Sequence, residues 1–151
     1  MARYRYKFEN ILKLRKSIED NKKNLLSQSI KKLNKEKKEL DALSIALFGS
    51  IENANKKMNE GIRVKEIIAI ANEHSYYRDK IEEKKVSLKD AKTLVDNRME
   101  ELSYAMKDRK IMERLKEINY NKYKYEEERK AEKNLDEIIS FKTNYKVMEG
   151  K

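Results

Sequence analysis

Leu26, Leu33, Leu40 and Leu47 stand seven residues apart, and a second seven-residue series runs through Ile67, His74, Ile81, Leu88, Val95 and Leu102. Side chains at that spacing line one stripe of a helix, and a stripe sustained over many turns is buried only against another helix. The 151 residues include no proline, so nothing in the chain forces a helix to stop early. The predicted fold class is all-α, a long two-helix antiparallel coiled-coil hairpin with a C-terminal helical overhang. Such a chain offers faces and ends rather than a cleft, which removes most enzyme classes.

The pattern predicts a single coiled-coil domain over 1–151, with helix 1 over about 4–57, a turn over about 58–63 and helix 2 over about 64–145. The apolar positions of helix 1 begin as Phe8, Ile11, Leu14, Ile18 and Leu25, and continue one residue out of phase from Leu26. That shift predicts a local adjustment of the supercoil. The break is expected where Asn53, Asn55, Asn59 and Gly61 cluster, with Gly61 as the helix C-cap and a restart at Val64. Helices joined by so short a turn run antiparallel, so facing residue numbers should add to roughly 120. Ile18 then lies near Leu102 and Leu33 near Leu88. Helix 1 is exhausted opposite about residue 117, leaving ~30 residues of helix 2 unpaired, some 45 Å if helical, at ~1.5 Å per residue. A parallel homodimer through the same heptads ranks second, because the Asn53–Gly61 stretch interrupts it.

Charged residues make up 42% of the chain and hydrophobic ones 38%, a balance suited to narrow seams on solvated helices. Residues 1–38 carry 13 Lys/Arg against 4 Asp/Glu, and the rest of the +10 net charge is spread thinly. An excess at one end fits an acidic partner, or simply a lysine-solvated coiled coil. Basic residues interleaved with tyrosine fit nucleic acid also, but no nucleic-acid motif is present, so that partner is not expected. The absence of cysteine excludes disulfides and thiolate metal sites. With no apolar run near membrane-spanning length, the chain reads as soluble and cytoplasmic.

Chemistry-bearing groups are sparse. His74 is the only histidine and occupies a heptad position, where a seam or flanking role outweighs acid–base work. Glycines at 49, 61 and 150 cannot build a phosphate loop. Glu126, Glu127 and Glu128 are consecutive, so a helix points them in different directions and gives no metal geometry. No catalytic residue, metal or cofactor is expected. The aromatics are better placed. Tyr4, Tyr6 and Phe8 open the chain, and Tyr120, Tyr123 and Tyr125 stand where the overhang begins. An antiparallel hairpin brings the two groups together, to plug the end of the seam or to form a docking surface.

The ends of the chain carry more specific patterns. Tyr6-Lys7-Phe8-Glu9-Asn10-Ile11-Leu12-Lys13-Leu14-Arg15, followed by Glu19, resembles the opening of the FliJ family of flagellar export proteins. Lys110, Glu113, Leu115, Lys116 and Glu117 resemble that family's Lys-x-x-Glu-x-Leu-Lys-Glu segment. Arg129, Lys133, Leu135, Asp136, Glu137 and Ile138 resemble its C-terminal signature, although Ala131 and Glu132 depart from the Glu-Gln pair usual there. Residues 40–105 match only in heptad pattern and length. The resemblance implies a non-enzymatic, antiparallel coiled coil similar to the central stalk of rotary ATPases. Its implied partners are the flagellar export ATPase ring, the export gate protein and export chaperones, met at the cytoplasmic face of the membrane. Carried over residue by residue, it makes Phe8, Leu12, Arg15, Glu113, Leu115, Lys133, Asp136 and Glu137 the ATPase-binding candidates. Tyr76, Tyr77 and Ile81 are candidates for the gate contact, without a sharp motif. The other readings kept open are a basic coiled-coil arm for nucleic acid and a structural homodimeric spacer.

Overall fold

The computed structural model describes the backbone of residues 4–149 and the side chains of residues 4–144. Among the described residues there are two helices and no strand: α1 over Glu9–Glu60 and α2 over Val64–Glu149. The helices pack antiparallel, as an all-α hairpin. Close side-chain packing divides the chain into two compact units, Met1–Ile18 with Met106–Lys151 and Glu19–Ala105.

The turn occupies residues 61–63. Gly61 has φ +98°, a conformation in which a Cβ is strained and which ends a helix by satisfying its last carbonyls. A Cβ there would meet nothing within 4 Å, so the backbone angle alone calls for glycine. The restart at Val64 is capped in reverse. The Glu66 carboxylate accepts from the Arg63 backbone N–H at 3.0 Å, while the Arg63 carbonyl accepts from Ile67 N–H at 3.2 Å. This is the acidic half of a capping box.

Helix α1 starts at Glu9 rather than near Tyr4. Tyr4 and Tyr6 both turn toward α2. Residues two apart share a side only in an extended chain, since in a helix they point about 200° apart. The aromatic contacts therefore hold this segment out of the helix. The Tyr6 carbonyl accepts the first bond, from Glu9 N–H at 3.3 Å.

The seam of α1 also departs from expectation. Leu12 is 2% exposed and Glu19 4%, whereas Ile11 is 43% and Leu14 58% exposed. One heptad series thus runs without a shift through Leu12, Glu19, Leu26, Leu33, Leu40, Leu47 and Ala54. There is no phase adjustment at Leu25, and Phe8, Ile11, Leu14 and Ile30 lie outside the seam. Polar residues take the other seam positions of α1, including Arg15, Lys22, Ser29 and Glu36. Buried Ser29 satisfies its hydroxyl on the Leu25 carbonyl at 2.9 Å. On α2 the series from His74 to Leu102 faces inward, with Ala91, Val95 and Ala105 buried, but Ile67 at its start is exposed.

In the Glu19–Ala105 unit, ion pairs across the helices fix the register. Lys84 meets Glu36 at 2.9 Å and also bonds Glu39. Lys22 meets Glu101 at 2.8 Å, and Arg98 braces the same carboxylate at 2.9 Å. Hydrogen bonding from Lys84 lowers the Glu39 pKa, and the two glutamates raise that of Lys84. Hydrogen bonds from Lys22 and Arg98 likewise lower the Glu101 pKa. The register agrees with the spacing set by the turn.

Candidate functional site

The unit made from the two ends of the chain holds the densest set of specific contacts. Its first layer is aromatic. Tyr4 packs between Tyr120 and Tyr123, with ring centroids at 5.3 and 5.2 Å. Tyr6 is 5% exposed, donates its hydroxyl to the Met112 carbonyl at 3.3 Å and meets Phe8 edge-on at 5.9 Å. The expected meeting of the two aromatic groups is present, except that Tyr125 is 65% exposed and points elsewhere. The Tyr4 hydroxyl is buried without a hydrogen-bond partner, beside an open groove of about 600 Å³ lined by Tyr120, Tyr123, Glu127 and Asn134 among others.

A second layer is ionic. Lys116 bonds Glu9 at 2.7 Å and lies 6.0 Å over the Tyr6 ring. That hydrogen bond raises the Lys116 pKa and lowers that of Glu9. Arg15 bonds Asp108 at 2.9 Å, and Lys16 approaches Glu113 at 3.6 Å. Arg109 holds the other Glu113 oxygen at 2.5 Å.

Beyond Tyr123 the character of α2 changes. Every residue from Glu128 to Asn144 is exposed. Leu135, Ile138, Ile139 and Phe141 are 59, 54, 53 and 70% exposed. This is the expected overhang. Four large apolar side chains on a bare helix cost solubility unless a partner covers them. Among the described residues, none of Lys133, Asp136 and Glu137 makes an ion pair.

No group of three His, Cys, Asp or Glu that could hold a metal occurs among the described residues. In the same residues no helix is long and apolar enough to cross a membrane. His74 sits half-buried in the other unit with Nε2 buried and without a hydrogen-bond partner, and no second acid–base group accompanies it.

The family model described as "Flagellar FliJ protein" matches residues 4–146, nearly the whole chain. The chain belongs to the FliJ family. Membership makes it a component of flagellar protein export, in a family of non-enzymatic export components. A solved structure of a YscO homolog, CT670, from Chlamydia trachomatis is similar, with a TM-score of 0.54 and 21% identity. The match covers 90% of this chain and 93% of that one, and shows the fold alone. No curated protein matches the chain.

Against this family background the end motifs divide into two kinds. All eight residues carried over as ATPase-binding candidates fall in the unit formed by the two ends. Leu12 is core, and Arg15 and Glu113 are engaged with the opposite helix. Phe8 and Leu115 are partly exposed, at 38 and 40%. Lys133, Asp136 and Glu137 are fully on the bare helix. The gate candidates fall in the Glu19–Ala105 unit, where Tyr76 is 57% exposed but Tyr77 and Ile81 are half-buried on the seam.

Several contacts escaped sequence reading. The Lys116–Glu9 pair and the Tyr6–Met112 bond join the opening motif to the Lys-x-x-Glu-x-Leu-Lys-Glu segment. Buried Glu19, paired with Lys23 at 2.8 Å, was signalled only by standing seven residues from both Leu12 and Leu26.

Proposed function

We propose that this FliJ-family chain is a stalk-like subunit that binds the flagellar export ATPase ring through its bare C-terminal helix, promotes hydrolysis and couples it to the export gate. One observation carries the reading. The opening motif is used up in clamping α2, whereas the C-terminal signature is held out with no intramolecular cover. Residues spent on internal contacts explain a motif by stability; exposed Lys133, Leu135, Asp136, Glu137 and Ile138 call for an external partner. A ring lumen that surrounds a helix on all sides would cover Leu135, Ile138 and Ile139 together.

Mechanistically, binding energy shifts the ring between nucleotide states only if the contacts differ among those states. A helix whose faces carry different residues supplies such asymmetry. The gate contact falls to the other unit, with Tyr76 as its available side chain. Export chaperones are a further partner on this reading.

The test is the hydrolysis rate of the cognate export ATPase with and without the chain. Stimulation should be lost on deleting residues 129–151 and reduced by Asp136→Lys. Full stimulation by both variants would overturn ring docking through this helix.

A further inference from the structure

Within the unit formed by the chain ends, α2 carries two stripes. Met112, Lys116 and Tyr123 face α1 through the contacts described above. Ile111, Leu115 and Ile118, spaced four and three apart, form a second stripe on the helix, and they are 58, 40 and 51% exposed. The Lys16–Glu113 contact closes one flank of the helix pair. Helical geometry puts Ile11 and Leu14 of α1 on the other flank, the side of this second stripe. They are 43 and 58% exposed. Single exposed apolar residues need no explanation, but a contiguous patch of several hundred Å² marks an interaction surface.

The charges around the stripe identify what fits it. Asp108 stands seven residues before Leu115 and Lys122 seven after it, on the same helix face. Opposite charges placed at equal distances about an apolar centre are self-complementary under a two-fold axis. We propose that two copies of this chain pair antiparallel through this face, with the axis beside Leu115. Ile111 of one copy then meets Ile118 of the other, Leu115 meets its own counterpart, and each Asp108 lies beside the other copy's Lys122. A parallel arrangement would set like charge on like. An unrelated helix gives no reason for the symmetry. Two such patches, with their flanking polar residues, approach the roughly 1,000 Å² at which specific interfaces begin. The inference does not rest on the ATPase reading. It bears on it, because Leu115 serves both, so that pairing and ring binding compete.

The test uses the full chain alone. Sedimentation equilibrium across micromolar concentrations should show the mass rising toward twice that of one chain. Ile118→Glu, at an exposed position that leaves helicity intact, should abolish the rise. Lys122→Asp and Asp108→Lys should each lose it, and an equimolar mixture of the two should regain it. Because the chain has no cysteine, Leu115→Cys should form a disulfide-linked pair under mild oxidation far faster than the exposed control Asn21→Cys. A single-chain mass at every concentration overturns the proposal and leaves the face to a partner's helix. So does a doubled mass that survives Ile118→Glu and the charge reversals. All these readings are taken without the ATPase, so their failure is separate from failure of stimulation.

Discussion

Residues 106–123 and 128–144 of α2 are alike in composition, both mixing Lys, Arg and Glu with Ile and Leu, yet they live under opposite conditions. The first stretch has the opening of the chain across from it. Tyr4, Tyr6, Glu9, Leu12 and Arg15 supply it with rings, a carbonyl contact and ion pairs. The second has nothing opposite, and Leu135, Ile138, Ile139 and Phe141 stand in solvent. Apolar residues at helical spacing therefore do not make a seam. A facing segment does, and its absence turns the same pattern into an invitation to another molecule. Continuity of the backbone lets the paired stretch hold the bare one helical, where an isolated peptide of that length would be marginal.

Variants that treat the two stretches alike should sharpen the contrast. Leu12→Ala removes a buried side chain and should cost about 3 kcal/mol, within the range of core truncations, read from urea unfolding by circular dichroism. Leu135→Ala should change that stability by less than about 0.5 kcal/mol, as expected for an exposed site, yet reduce ATPase stimulation. Equal losses of stability would show that the bare stretch is covered after all.

Glu19→Leu should act in the opposite sense. Replacing a buried charge pair by a well-packed apolar residue is often stabilising, by about 1–3 kcal/mol, and here it would make the heptad series apolar without interruption from Leu12 to Leu26. A higher unfolding midpoint checks it; a large loss would mean that Glu19 holds more than Lys23. Gly61→Ala comes next, with a cost of about 1 kcal/mol from forcing a Cβ into the left-handed region, measured by the same transition.

The smallest effect expected is that of pH, carried by exposed pairs that are screened by solvent. Glu39 and Glu101 have lowered pKa values because lysine and arginine bond their charged forms. Their contribution is present above the ordinary value of 4.5 and is lost as pH falls through the lowered folded values. Lys84 and Lys116 are raised, so their part is present below 10.5 and lost as pH rises through the raised values. A titration of the unfolding midpoint should show shallow losses at both extremes. Helicity of the bare stretch, followed by a probe near Ile138, should not track them.

Much of this was legible in the sequence. The hairpin, the turn at Gly61, the register and the unpaired C-terminal helix follow from heptad spacing, one glycine and the unequal lengths of the two arms. The phase of the first α1 turns was not legible, for a physical reason. Ile11, Leu14 and Ile18 make a better apolar stripe than Leu12, Arg15 and Glu19, so periodicity selected the outward face. A helix with two apolar stripes does not say which one meets its own chain. That choice was made by Tyr4 and Tyr6, whose anchoring depends on residues more than a hundred positions away. The end motifs read correctly as a family mark, but their division into clamp and free surface needed coordinates.

The extended Tyr4–Phe8 segment has a consequence for motion. The open end of a helix pair is ordinarily where fraying begins, since terminal turns have least to lose. Here the terminus is pinned by rings that must be lifted out before α2 can separate. Amide exchange along α2 should therefore not fade gradually toward the C-terminus. It should stay slow through the turns under Tyr4 and Tyr6, then quicken abruptly within a turn or two of Tyr123, marking on the time axis the boundary that the side chains draw in space.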